Sequence, residues 1–227
     1  MAVRALVFDV FGTLVDWRSG VAASFRASGV SGDPYELADA WRARYRPILA
    51  EVNGGSRPWG NFDDLHLVTL DDLLTERDLE LSVEERRRLV AAWHRLDPWP
   101  DVRTGLDALR AQRVVAMLSN GHVALLVDLA RHGDLHFDCV LSAELAQAYK
   151  PAPQAYLTAA RLLDVEAGEL MLVAAHPSDL DGARGAGLMT AFVDRPLEYG
   201  PGSAAREDPA ADESVADLLE LAERLGA

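Results

Sequence analysis

Residues 3–13 read VRALVFDVFGT, a short apolar run that ends on Asp9 and passes at once into Phe-Gly-Thr. An unbroken apolar run of this length suits a strand covered on both faces, the situation of a strand inside a parallel sheet. The pattern recurs at 114–119 (VVAMLS), 138–142 (DCVLS), 170–175 (LMLVAA) and 189–193 (MTAFV). Between these runs, near 102–112, 122–132, 152–163 and 179–187, apolar residues recur at three- and four-residue spacing. Strand alternating with helix predicts an α/β fold on a doubly wound parallel sheet, whose ligand site lies at the carboxyl ends of the strands.

The stretch from 16 to 98 interrupts the alternation with four amphipathic helical patterns, near 18–28, 34–52, 62–77 and 83–97, and no convincing strand. Ser82 ahead of Val-Glu-Glu predicts an N-cap with acids in the first turn, and Pro98 and Pro100 end the last helix of the stretch. The expected organisation is a core of residues 1–15 and 99–227 carrying an all-helical insertion of residues 16–98. Residues 195–212, rich in Pro, Gly and acids, predict a surface loop before a last helix at 213–225. Gly182, Gly185 and Gly187 lack the spacing of a dinucleotide-binding turn and read as close helix packing.

The chain has 227 residues, with 22 basic against 36 acidic side chains and a net charge of −14. Such a surface repels polyanions, which argues against a nucleic-acid partner. No run approaches the roughly 18 apolar residues of a membrane span. The N-terminus lacks the regions of a signal peptide, and the single cysteine, Cys139, cannot make an internal disulfide. A cytoplasmic protein without a membrane partner is expected, with Cys139 an inert core thiol. All basic residues but one are arginine, the exception being Lys150.

Several familiar sites are absent from the sequence: there is no G-x-x-x-x-G-K-[ST], G-x-S-x-G, H-E-x-x-H or paired C-x-x-C. What stands out is a set of polar residues where the runs end: Asp9, Ser119-Asn120, Lys150 in AYKP, and Asp179 after LMLVAAHPS. Singly they read as a turn acid, a turn with its cap, a solvated lysine and a helix N-cap. Together they fall at strand ends that converge on one crevice, which makes them a candidate site.

FDVFGTLVDW (8–17), LSNG (118–121), YKPAPQAY (149–156) and AAHPSDLDGARGAG (174–187) resemble, in order, the four motifs of the haloacid dehalogenase superfamily. The resemblance is closest to the type II 2-haloacid dehalogenases and extends to AWRARYRP (40–47) and TAFVDRPLEYG (190–200). It implies that the helical insertion is a cap domain and that Asp9 is a nucleophile displacing halide from a short 2-haloacid to give an ester, which water hydrolyses to the 2-hydroxy acid. It places Lys150 beside Asp9, Thr13 on the nucleophile's oxygen, and Asp179 either orienting Lys150 or activating water. Ser119 and the N–H groups of Val10 and Phe11 would bind the substrate carboxylate, and Arg42, with Asn120 opposite, would hold the halide. Phe62, and more weakly Trp41, Trp59 and Tyr156, would line a small apolar pocket.

The resemblance implies no metal and no cofactor; the partners are a small halogenated carboxylic acid and the halide product, and the assembly it suggests is a homodimer. Phe11 stands where phosphatases of the superfamily carry a second aspartate that protonates the leaving group; a halide is a weak base and needs no proton. The fourth motif has Ala174, His176 and Ser178 where the better-known dehalogenases have Ser, Asn and Trp. His176 can position water, contact halide or cap the following helix. Two other classes stay open on the residues: a small-molecule phosphatase, and a catalytically idle member that binds a ligand without turning it over.

Overall fold

The protein is described by a computed structural model covering residues 3–203 and 206–226. Its six strands are β1 (Ala5–Phe8), β2 (Val114–Ser119), β3 (Cys139–Ser142), β4 (Leu170–Ala174), β5 (Met189–Val193) and β6 (Glu213–Val215). They form one sheet in the order β3-β2-β1-β4-β5-β6, with every neighbouring pair parallel. Side chains of successive strand residues point to opposite faces. In β1, Leu6 and Phe8 accordingly join one apolar cluster, whereas Ala5 and Val7 join another on the far side of the sheet.

Five helices follow β1 before the sheet resumes: α1 (Trp17–Ser28), α2 (Pro34–Ala43), α3 (Tyr45–Asn53), α4 (Phe62–Glu76) and α5 (Val83–Ala92). Their Trp41, Phe62 and Trp93 belong to the same cluster as Leu6 and Phe8, so the inserted helices are packed onto one end of the core. The chain leaves and rejoins the sheet side by side. Val15 bridges Pro98, Asp16 N–H donates to Asp97 O at 2.9 Å, and Trp99 N–H donates to Leu14 O at 2.9 Å. α6 (Val102–Arg110), α7 (Val123–Gly133), α8 (Ala143–Ala146), α9 (Pro153–Leu162), α10 (Pro177–Gly185) and α11 (Leu218–Arg224) complete the fold. Among the described residues, no helix is long and apolar enough to cross a membrane.

Ser82 forms a capping box at α5, accepting from Glu85 N–H at 3.2 Å while the Glu85 carboxylate accepts from Ser82 N–H at 2.7 Å. The helix expected over 34–52 is instead two, α2 and α3, with Arg44 between them. Pro47 explains the break, since its ring in a continuous helix would clash with the carbonyl of Ala43. The helix expected over 213–225 begins only at Leu218, because Glu213–Val215 pair with β5 and Asp217 caps the helix by accepting from Glu220 N–H at 2.8 Å. Cys139 is on a strand, as expected, but half-buried rather than enclosed.

The 195–212 segment is irregular, yet it is not only surface. Arg195 is buried; its guanidinium donates to both carboxylate oxygens of Asp101 at 2.7 and 2.9 Å and to Thr13 O at 2.8 Å. Of the three glycines read as packing residues, Gly182 fits: a Cβ there would lie 2.6 Å from the Tyr156 hydroxyl and 2.8 Å from Pro151 Cβ. Gly187 instead supplies a left-handed turn at φ +88°, and Gly185 has open space around it. Gly182→Ala should therefore destabilise the protein by about 1–3 kcal/mol through overpacking, measured as a lower urea midpoint at unchanged m-value.

Candidate active site

Asp9 is the first residue beyond β1, Ser119 ends β2 with Asn120 just after it, and His176 follows β4 as the N-cap residue of α10. The strand order reverses between β1 and β4, so these residues meet in the crevice where a doubly wound sheet takes its ligand. Lys150 arrives from the turn before α9, and the inserted helices α2 and α3 roof the space to leave a cleft of about 780 Å³.

Asp9 is almost enclosed, and both of its oxygens are engaged. Oδ1 accepts from Lys150 Nζ at 2.9 Å; Oδ2 accepts from the Thr13 hydroxyl at 2.8 Å and from His176 Nδ1 at 3.1 Å. Burial alone would push this carboxyl's pKa up, but Lys150 and His176 outweigh it and hold Asp9 well below the carboxylate range. Thr13 is fixed in turn by accepting from Ala175 N–H at 3.0 Å. Lys150 also donates to Asp179 Oδ2 at 2.5 Å, and the Tyr156 hydroxyl donates to Asp179 Oδ1 at 2.6 Å. Burial opposes the lysine's charge; the two carboxylates overcome that and raise its pKa.

His176 bridges outward from the nucleophile. Its Nε2 lies 2.9 Å from Glu198 Oε1, which also accepts from Trp17 Nε1 at 2.9 Å, and Arg206 pairs with the other oxygen of Glu198. Burial disfavours a charged imidazole here, yet Glu198 and Asp9 push its pKa up to about 9. Glu198, fully buried, is drawn down to about 2 against its own burial by His176 and Arg206. The glycine of Phe-Gly-Thr makes room for this acid: Gly12 has φ +88°, and a Cβ on it would lie 2.2 Å from Glu198 Oε1.

Arg42 enters from α2 into a nest of aromatic rings, 4.3 Å from the Tyr45 centroid, 5.3 Å from Trp17, 5.8 Å from Trp93 and 6.0 Å from Phe11. Its Nη1 is buried without a hydrogen-bond partner among the described residues. The neighbouring arginines are committed elsewhere, Arg44 to Glu76 and Arg46 to the Ser178 hydroxyl at 2.6 Å, and Asp39 is taken by Arg18. Asn120, across the cleft, donates to the Tyr45 hydroxyl at 2.8 Å and accepts from Lys150 N–H at 2.7 Å.

Asp9, Phe11, Arg42, Asn120, Lys150, His176 and Asp179 all line the cleft; five other expected site residues stand behind its wall. Val10 and Thr13 are enclosed beneath the first motif, and Ser119 is enclosed with its hydroxyl accepting from Gly121 N–H at 3.2 Å. Phe62 does not line the space but stacks on Phe11, with ring centroids 5.3 Å apart and planes at 9°. Tyr156 is likewise no liner, because its hydroxyl is consumed by Asp179. Trp41 is core, and Trp59 stacks on Tyr149 at 4.4 Å. Sequence reasoning missed Glu198, Tyr45 and Tyr199. All three fall inside the two outlying segments of the resemblance, the only signal that could have found them.

A haloacid dehalogenase-type core is what this sheet order and strand-end carboxylate define. The family of haloacid dehalogenase-like hydrolases matches residues 3–187, and the chain belongs to it. Among characterised relatives, (S)-2-haloacid dehalogenase 1 of Pseudomonas sp. (strain CBS-3) is 32% identical over 206 residues, covering 87% of this chain and 88% of the relative. The crystal structure of the L-2-haloacid dehalogenase PA0810 superposes with a TM-score of 0.93 at 46% identity over 99% of both chains. That of the Xanthobacter autotrophicus L-2-haloacid dehalogenase with chloropropionic acid covalently bound gives 0.86 at 26% identity, again over 99% of both.

The raised pKa of His176 has a consequence for stability. A group whose folded pKa lies above its unfolded value of about 6.5 contributes fully below that value and loses its contribution as pH rises through the folded pKa. Wild-type unfolding free energy should therefore fall between about pH 6.5 and 9, by on the order of 3 kcal/mol. Urea unfolding across that range should show a steeper fall in the wild type than in His176→Gln.

Proposed function

We propose that the protein is a hydrolase acting on carbon–halide bonds, converting short 2-haloalkanoic acids to 2-hydroxy acids with inversion at C2. The observation that carries this reading is the setting of Asp9: ionised and desolvated, it shares the cleft with Arg42, whose Nη1 has no partner among the described residues, and Phe11 stands in place of a leaving-group acid. In the first step an Asp9 carboxylate oxygen attacks C2 from the side opposite the halogen. The C–O bond forms as the carbon–halogen bond breaks, and the halide leaves with the electron pair towards Arg42 and Asn120. Val10 and Phe11 N–H groups follow Asp9 directly and are the proposed contacts of the substrate carboxylate, with the enclosed Ser119 supporting the neighbouring strand end through Gly121 N–H.

In the second step water attacks Cγ of the ester, restoring the Asp9 carboxylate and freeing the 2-hydroxy acid. Both oxygens of Asp179 are taken by Lys150 and Tyr156, which supports Asp179 as the group that orients Lys150. His176 is the better candidate for the base. In the resting site the charge on Asp9 helps keep the imidazole protonated; alkylation removes that charge, so the imidazole gives up its proton more readily and can take one from water. Glu198 positions His176 and balances the imidazolium that then re-forms. None of these steps requires a metal or cofactor.

The reading extends to organisation. Residues 1–15 and 99–227 form the catalytic core and 16–98 a cap, supported by the paired strands of chain at 14–16 and 97–99. A net charge of −14 and a single cysteine support a cytoplasmic protein with neither nucleic-acid nor membrane partner. Leu145, Leu157 and Leu162, each about half exposed on the neighbouring α8 and α9, support pairing of two chains.

Purified protein should release halide from chloroacetate and (S)-2-chloropropionate with chelator present, and Asp9→Asn should release none. His176→Gln should slow ester hydrolysis by roughly 10²–10⁴-fold, so that mass spectrometry finds the carboxyalkyl ester of the substrate accumulating on Asp9. Halide release that survives Asp9→Asn would overturn the mechanism.

A further inference from the structure

Two residues beyond Asn120 the chain places a second imidazole, His122, against the inserted helices and away from the reacting cleft. There Asp63 in the first turn of α4, His94 just past α5, and His122 at the start of α7 bring one ligand atom each to within 4.8 Å of one another. His94 Nε2 is 3.1 Å from both oxygens of Asp63, and His122 Nε2 is 3.8 Å from Asp63 Oδ2. A tetrahedral ion with bonds of about 2.0–2.1 Å sets its ligand atoms about 3.3 Å apart. These three groups are within small side-chain rotations of that spacing.

Two further features separate this cluster from an ordinary ion pair. Asp128 lies 2.8 Å from His94 Nδ1, the outer nitrogen, which is how a carboxylate fixes a ligating imidazole so that Nε2 faces the metal. His122, with only 13% of its side chain exposed, has no bond that an ion pair would explain. Its nearest carboxylate is beyond hydrogen-bond reach, and its Nδ1 is buried without a partner among the described residues.

We propose that Asp63, His94 and His122 form a binding site for one divalent cation of the zinc class, with water completing the tetrahedron. Two imidazoles and one carboxylate suit zinc, cobalt or nickel and not magnesium or calcium, which take oxygen ligands. The carboxylates of Asp63 and Asp128 balance the ion's charge. None of the three ligands lines the reacting cleft. Bound there, the ion ties α4 and the end of α5 to α7 and so fixes the inserted helices relative to the β2–α7 loop that carries Asn120.

The test uses the full chain stripped by chelator and titrated calorimetrically with zinc chloride. One ion per chain should bind with a Kd in the micromolar range or tighter, and a hundredfold excess over Kd should raise Tm by about 5–10 °C; magnesium chloride should do neither. Co²⁺ should give the visible d–d bands of a tetrahedral site in the unsubstituted protein. Asp63→Asn and His122→Gln should each weaken zinc binding by about 100-fold or more, whereas His176→Gln should bind as the parent does. Absence of zinc binding to the stripped parent, or binding that survives both substitutions or disappears in His176→Gln, would overturn the proposal.

Discussion

Six charged side chains alternate in sign across the carboxyl end of the sheet: Asp179, Lys150, Asp9, His176, Glu198 and Arg206. Each inner member touches one partner on either side, so the four inner charges are matched within the protein. Removing a single member leaves a buried charge unmatched, which costs more than the lost contact itself. The local backbone follows from this row of charges. Gly12 must lack a side chain because Glu198 occupies the space, Gly182 must lack one because Tyr156 reaches past it to Asp179, and Thr13 is held from both the β1 and β4 sides. Lys150 fits between two carboxylates as a compact ammonium, where a planar guanidinium fork would not.

The other side of the cleft is built on the opposite principle. Phe11 rests on Phe62, Tyr45 packs edge-on against Phe62, and Trp93 lies between Trp17 and Trp41. Arg42 is anchored in this apolar wall by the faces of the rings, not by an acid. Its Nη1 is therefore available to an anion, and among the described residues no carboxylate pairs with it. A nucleophile that is charged but dry, facing a cation held by aromatic rings, is an arrangement in which anionic charge can pass from one wall to the other.

The parallel sheet was legible because its strands are fully covered and so read as unbroken apolar runs; β1, β2, β4 and β5 lie within a residue or two of their expected places. β6 was not, because an edge strand of three residues carrying Glu213 and Ser214 has no apolar signature. The split of α2 from α3 follows from Pro47, which the continuous amphipathic pattern over 34–52 masks. Among site residues, those at strand ends could be found because topology alone brings them together. Topology does not find Glu198: it is an acid in a Pro- and Gly-rich segment, where composition predicts exposure, and in the fold Arg195 pins that segment under Thr13. Phe62 and Tyr156 stand behind the lining of the cleft, one against Phe11 and the other on Asp179, and a sequence does not distinguish a residue that lines a cavity from one that supports the lining.

The late position of Glu198 in the chain bears on how the site comes into being. A ribosome delivers Asp9 first, then the inserted helices, which can close on themselves once residues 97–99 have met 14–16. β1 still lacks its neighbour β4, and when β4 arrives with His176 the imidazole has the nucleophile on one side and nothing on the other. Only the segment after β5 supplies Glu198 and Arg206 and closes the row of charges. Assembly of this row is thus deferred until the segment after β5 has emerged, and a chain terminated before it retains Asp9 without Glu198 and Arg206.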